Sequence, residues 1–153
     1  MDLPDFGPPP VAGAYVVVRP VTVRAEWRAD TRNPQPEYVA AAAAEMQRRG
    51  YRVVSVADLE PNKEWALDPL PPADVQCHAG ELPVEQLLAL VQGAAAVIGG
   101  IGWIVPASIA ARVPALIICG GQGGGGRAPC VERGLDPVTH GRLRLPRHPA
   151  VRR

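Results

Sequence analysis

Five short apolar bursts, separated by helical or glycine-rich stretches, constrain this chain more than any other feature: AYVVVR from Ala14, YRVVSVAD from Tyr51, ADVQCHAG from Ala73, AAVIGG from Ala95 and PALIICGG from Pro114. Each is of strand length. Most are β-branched without polar alternation, the pattern of strands covered on both faces. Between the second and third bursts the loop from Leu59 to Pro72 is expected to carry at most one helical turn, around Lys63 to Leu67. Three helices are expected in the other gaps. EYVAAAAAEMQRRG has Tyr38, Val39, Ala42, Ala43 and Met46 on one face, Arg48 and Arg49 in its last turn and Gly50 as its stop. PVEQLLALVQGA has a stripe of Val84, Leu87, Leu88 and Val91, with Pro83 in its first turn. PASIAARV opens at Pro106. Strands alternating with helices predict a Rossmann-like three-layer α/β domain with a parallel sheet of about five strands in the order 3-2-1-4-5.

A chain of 153 residues is one domain long. Residues 1–13 read as a Pro-rich leader, extended or disordered; residues 14–124 as the domain; residues 125–153 as a basic tail rich in Gly, Pro and Arg. The formal charge of +1 argues against nucleic-acid binding, which needs many clustered cations. Lys63 is the only lysine among many arginines, which we read as the codon bias of a GC-rich genome. Cys77, Cys119 and Cys130 show no Cys-x-x-Cys spacing, so neither a disulfide framework nor a metal site is expected. A reducing cytoplasm fits that usage. The opening residues lack a basic region and an apolar core, so no signal peptide is expected, and no run reaches the ~20 apolar residues of a membrane span.

In a sheet of this order a ligand is expected outside the carboxyl ends of strands 1 and 4. Three segments converge there. The connection after strand 1 carries Arg19, Arg24, Trp27, Arg28 and Arg32, and guanidinium forks suit phosphate oxygens. The turn after strand 4, Gly99-Gly100-Ile101-Gly102-Trp103, lets backbone amides approach an anion at the start of the third helix. GGQGGGGR after strand 5 is either a further anion nest or a linker. A dinucleotide site is not supported: Asp58 stands where a ribose-binding acid would lie, but no Gly-x-Gly-x-x-Gly follows strand 1. No Gly-x-Ser-x-Gly elbow occurs, and His78, His140 and His148 have no evident nucleophile partner.

The segment PVEQLLALVQGAAAVIGGIGWIVPASIAARVPALIICGG resembles the C-terminal, nucleotide-sugar-binding half of GT-B-type glycosyltransferases, in particular the heptosyltransferase family (glycosyltransferase family 9). That family has a helix with a Leu-x-x-Leu core and a strand ending in Gly-Asn-Asp-Ser-Gly-Pro. A helix and a Thr-Pro-led strand ending in Phe-Gly follow. Gly99, Pro114 and Gly120 match without gaps, and RNPQPEYVAAAAAEM resembles the family's Lys-Arg-Trp-Pro-x-Glu segment, placing Arg32 at the donor diphosphate. The resemblance runs from Ala14 to Gly124 and implies a single GT-B half binding a nucleotide diphosphate-sugar without a metal. Arg24, Arg28, Arg32, Gly100, Gly102 and Trp103 are the implied donor contacts. The family's Asn-Asp-Ser-Gly-Pro-Met-His is replaced by Gly100-Ile101-Gly102-Trp103-Ile104-Val105-Pro106, which removes its acid, hydroxyl and histidine. No catalytic residue is assigned. The acceptor half must come from a partner chain or homo-oligomer, or the chain is a noncatalytic interaction module with Trp27 or Trp103 as an anchor.

Overall fold

The structure is a computed structural model that describes residues 4–26 and 33–120. Its centre is a parallel sheet of β1 (Tyr15–Val18), β3 (Arg52–Val56), β5 (Val75–Cys77), β6 (Ala96–Gly99) and β7 (Ala115–Ile117), in the order β5-β3-β1-β6-β7. Counted along the sheet-forming strands, this is the expected 3-2-1-4-5. Trp27, Arg28 and Arg32, the glycine run beyond Gly120, the basic tail with Cys130, His140 and His148, and the first three residues of the leader lie outside the described residues.

The pleat of the central strands sorts their side chains into two cores. Val16, Val18, Val53, Ala96 and Ile98 pack beneath α1 (Pro36–Arg48), against Val39, Ala43 and Met46. Tyr15, Val17, Val54, Val56 and Val97 point the other way, against Leu90 and Val91 of α2 (Val84–Gln92) and Ile104 and Ala107 of α3 (Ile104–Ala111). The result is helix on sheet on helix. Every residue of β1 is buried, at roughly 1.5–3 kcal/mol per large apolar side chain.

Helical periodicity placed the α1 stripe on its buried face apart from Tyr38, but of the α2 stripe only Val91 is buried; Leu87 and Leu88 are partly buried, and the other buried α2 positions are Ala89 and Leu90, which the stripe omitted. Tyr38 is 59 % exposed and Val84 is 67 % exposed. Each lies in the first turn of its helix. Pro83 precedes α2 as its cap, and α3 starts two residues before Pro106.

The Leu59–Pro72 segment departs most from expectation. Instead of a helical turn, β4 (Glu64–Ala66) pairs antiparallel with β2 (Thr22–Arg24), opposing Thr22 to Ala66, Val23 to Trp65 and Arg24 to Glu64. The reversal into β4 is a tight turn: Lys63 and Glu64 N–H both donate to the Glu60 carbonyl, and Asn62 takes a positive φ of 64°, which Asn tolerates. Residues 4–13 run without helix or strand beside α2; Gln92 donates to the Pro4 carbonyl at 2.8 Å and accepts from the Phe6 N–H at 3.3 Å.

Candidate functional site

The sheet order dictates where a crevice opens. β1 continues toward β3 and β6 toward β7, so the two connections leave neighbouring strands in opposite directions. A cavity of about 450 Å³ lies at their carboxyl ends, within the usual range for small-ligand sites. Arg19, Arg24, Asp58 and Glu64 line one side, and the Gly100–Trp103 turn with Pro34 lines another.

Charge in this cavity is organised by Glu64, whose side chain is only 2 % exposed. Its Oε1 accepts from Arg19 Nη2 at 2.7 Å and its Oε2 from Arg24 Nε at 2.6 Å. The two cations differ in setting: the Arg19 side chain is 19 % exposed, that of Arg24 58 %. Arg19 is fixed further. Its N–H donates to the Ile98 carbonyl at 2.8 Å, extending the β1–β6 ladder, and its Nη2 also reaches Thr22 Oγ1 at 3.2 Å. Its guanidinium lies over the Trp103 ring, 5.9 Å from the centroid, within cation–π range.

Burial pushes the Glu64 carboxyl up, but hydrogen bonds from Thr22 and Arg24 and the charges of Arg19 and Arg24 outweigh it, holding Glu64 below the ordinary carboxylate value. Arg19 is lowered by its burial, against the pull of Glu64. Arg24 is raised by its hydrogen bond to Glu64 and the carboxylate charge. Glu64 is thus held as a carboxylate, facing two guanidiniums of a kind that stays protonated in proteins.

The glycines of the turn do different work. A Cβ on Gly100 would stand 3.0 Å from Pro34 Cδ, so this glycine lets the segment before α1 close against the turn. Gly102 has nothing within 4 Å of its Cβ position and faces open space. Gly99 sits against Arg19: a Cβ on Gly99 would lie 3.2 Å from the Arg19 Cβ.

Of the residues proposed from sequence, the cavity brings together Arg24, Gly100, Gly102 and Trp103. Arg28 and Arg32 lie outside the described residues. Glu64 was missed, because its partners are about forty positions away and its strand was read as loop. A Glu-Trp pair between two polar turns was the faint available signal. Asp58 lines the cavity as well and its carboxylate lies close against Gly80: a Cβ there would lie 2.8 Å from Asp58 Oδ1, and the Gly80 φ is +67°.

Beyond the cavity, over the ends of β3 and β5, Ser55 Oγ and His78 Nε2 lie 2.9 Å apart. Ser55 is fully buried, and desolvation lowers His78 and raises the Cys77 thiol, so this group is a packed polar contact. Among the described residues no cluster of three metal-ligating side chains occurs, and no helix is long and apolar enough to cross a membrane.

Neither protein-family models nor curated proteins give a match to this chain. Solved structures do. The chain superposes on the dodecameric iron-containing heptosyltransferase TibC, solved in complex with ADP-D-beta-D-heptose, with a TM-score of 0.52 and 19 % identity over 74 % of this chain and 29 % of that one. It also superposes on the dodecameric iron-containing glycosyltransferase TibC from enterotoxigenic E. coli H10407, with a TM-score of 0.50 and 18 % identity over 76 % of this chain and 30 % of that one. The chain thus spans less than a third of the length of these proteins. The likeness is one of fold: this is a Rossmann-like α/β domain that superposes on part of these glycosyltransferases.

Proposed function

We propose that this domain binds a nucleotide diphosphate-sugar in the cavity at the ends of β1 and β6, as the donor half of a glycosyltransferase of GT-B type. The acceptor half is supplied by a partner chain or a further copy. The observation that carries this reading is the meeting, at one switch point, of two arginines with an open glycine turn. Arg24 is more than half exposed at the rim, so its guanidinium is accessible to phosphate oxygens, and the Gly102 Cβ position faces open space, which leaves room for close approach. Arg28 and Arg32 follow Arg24 in the sequence and lie outside the described residues. As the glycosidic bond breaks, negative charge gathers on the departing diphosphate, and preplaced guanidiniums lower the cost of that charge.

Arg24→Ala tests the reading. It is expected to weaken nucleotide diphosphate binding by at least ~1.5 kcal/mol, the lower range for a charge-assisted hydrogen bond, with the far-ultraviolet dichroism retained. Unchanged affinity in a folded variant contradicts it.

A second reading, a noncatalytic interaction module, is favoured by two features: Glu64 already pairs with both arginines, and apolar surface is open at Ile101, Ile109 and Leu116. It requires that Trp103→Ala dissolve a self- or partner association. An unaltered sedimentation profile removes it.

A further inference from the structure

The Glu64 clasp has two unequal arms, and the inequality has a functional consequence. Arg19 is anchored by a backbone bond to Ile98, a side-chain bond to Thr22 and the ring of Trp103, and its side chain is mostly buried. Arg24 sits on the short β2 strand, more than half exposed, with Nε on the other oxygen of the same carboxylate. Breaking the buried arm would strand the mostly buried Arg19 guanidinium without its carboxylate, which is strongly unfavourable. Breaking the outer arm frees a guanidinium that is already more than half exposed and that water can solvate, so of the two arms it is the less costly to open. It also leaves Glu64 still paired to Arg19.

We infer that Glu64 is a latch on Arg24: without ligand it parks the guanidinium at the rim of the cavity, and an incoming diphosphate takes Arg24 from Glu64 while the Glu64–Arg19 arm stays closed. This rests on the donor-site reading above and adds a residue to it. Glu64 sets the threshold of anionic charge a ligand must carry, because it competes with the ligand for the same cation. A dianionic diphosphate outcompetes one carboxylate at Arg24; a singly charged carboxylate ligand meets an equal competitor already in place. Glu64 is thus a positioning and specificity-determining residue that does not itself touch the ligand.

The probe is inorganic pyrophosphate, titrated calorimetrically into the full chain. Glu64→Gln removes the competing charge and is expected to bind pyrophosphate at least about fivefold more tightly, the factor that corresponds to ~1 kcal/mol, the upper range for a solvent-exposed ion pair and a floor for one whose carboxylate is buried. Asp58→Asn controls for the general field, since Asp58 lines the same cavity; it is expected to change affinity less than Glu64→Gln does. If Glu64→Gln binds no better than wild type, or no better than Asp58→Asn, the latch is overturned and the donor site stands. If neither wild type nor variant binds pyrophosphate, both readings fall. Should Glu64→Gln not fold, the wild-type chain answers the question through the Arg24 Nε–H nuclear magnetic resonance, assigned by its absence from Arg24→Lys. The latch requires that resonance to shift as pyrophosphate binds, and a resonance unmoved at saturation overturns it.

Discussion

Arg19 lies over the ring of Trp103, 5.9 Å from its centroid, so the residue that follows β1 and the residue that precedes α3 hold each other across the mouth of the cavity. The contact couples the two connections that diverge from the switch point. Removing the ring in Trp103→Ala is expected to cost about 0.5–2 kcal/mol from the cation–π contact, beyond the loss of ring packing. Urea denaturation of Trp103→Ala beside Trp103→Phe measures it, with Phe recovering part of the loss.

Glu64 is the electrostatic hinge of the site. Glu64→Ala leaves the mostly buried Arg19 without its carboxylate and is expected to destabilise the fold by about 3 kcal/mol, as removal of one partner of a buried pair does. The sign of the pH dependence follows from the carboxyl being held below its ordinary value of 4.5. The stabilisation is present above that value and is lost as pH falls through the lower folded value. The stability gap between wild type and Glu64→Ala should therefore narrow as the solution is acidified below about pH 4.5.

At the opposite end of β1, the Tyr15 hydroxyl donates to the Leu90 carbonyl at 2.8 Å, and burial pushes its pKa up to about 12 from 10.0. A raised folded value means stability that is present below pH 10 and drains away as pH rises toward 12. Tyr15→Phe is expected to lose about 1 kcal/mol at neutral pH through the hydrogen bond and to lack this alkaline limb. Denaturant midpoints at neutral and alkaline pH report both effects.

Gly93 ends α2 where no side chain fits: a Cβ would lie 2.6 Å from the Tyr15 hydroxyl and 2.9 Å from Pro9 Cγ. Gly93→Ala is expected to cost about 1–3 kcal/mol, because an overpacked contact must displace its neighbours. A midpoint equal to wild type would mean that the leader yields at Pro9 and that Tyr15 has room to move.

Gly100 and Gly102 separate packing from binding. Gly100→Ala presses on Pro34 and should destabilise the fold, whereas Gly102→Ala meets open space and should leave stability within about 0.5 kcal/mol. Gly102→Ala should nonetheless weaken nucleotide binding, since its methyl group occupies the approach to the backbone. Thermal unfolding with and without nucleotide distinguishes the two effects.

The scaffold was legible because its signals are local. Val16 to Val18 and Val53 to Val56 form runs that only a doubly covered strand can bury, and Pro36, Arg48 and Gly50 punctuate α1 within its own length. The rim was not legible. β2 and β4 are three residues each and acquire their structure only by pairing with one another across the intervening first helix and β3. The same distance hid Glu64, whose meaning depends on Arg19 and Arg24. Gly100 and Gly102 look alike in sequence, and only the position of Pro34 distinguishes a glycine required by packing from one facing open space.

Thermal unfolding of the purified chain with a panel of nucleotide diphosphates and nucleotide-sugars at millimolar concentration tests the central claim most directly. A ligand at 100 times its dissociation constant stabilises by about 2.7 kcal/mol, several degrees for a domain of this size. The expected result is an upward shift confined to one nucleotide class and abolished in Arg24→Ala. No shift with any member of the panel contradicts a donor site at the ends of β1 and β6.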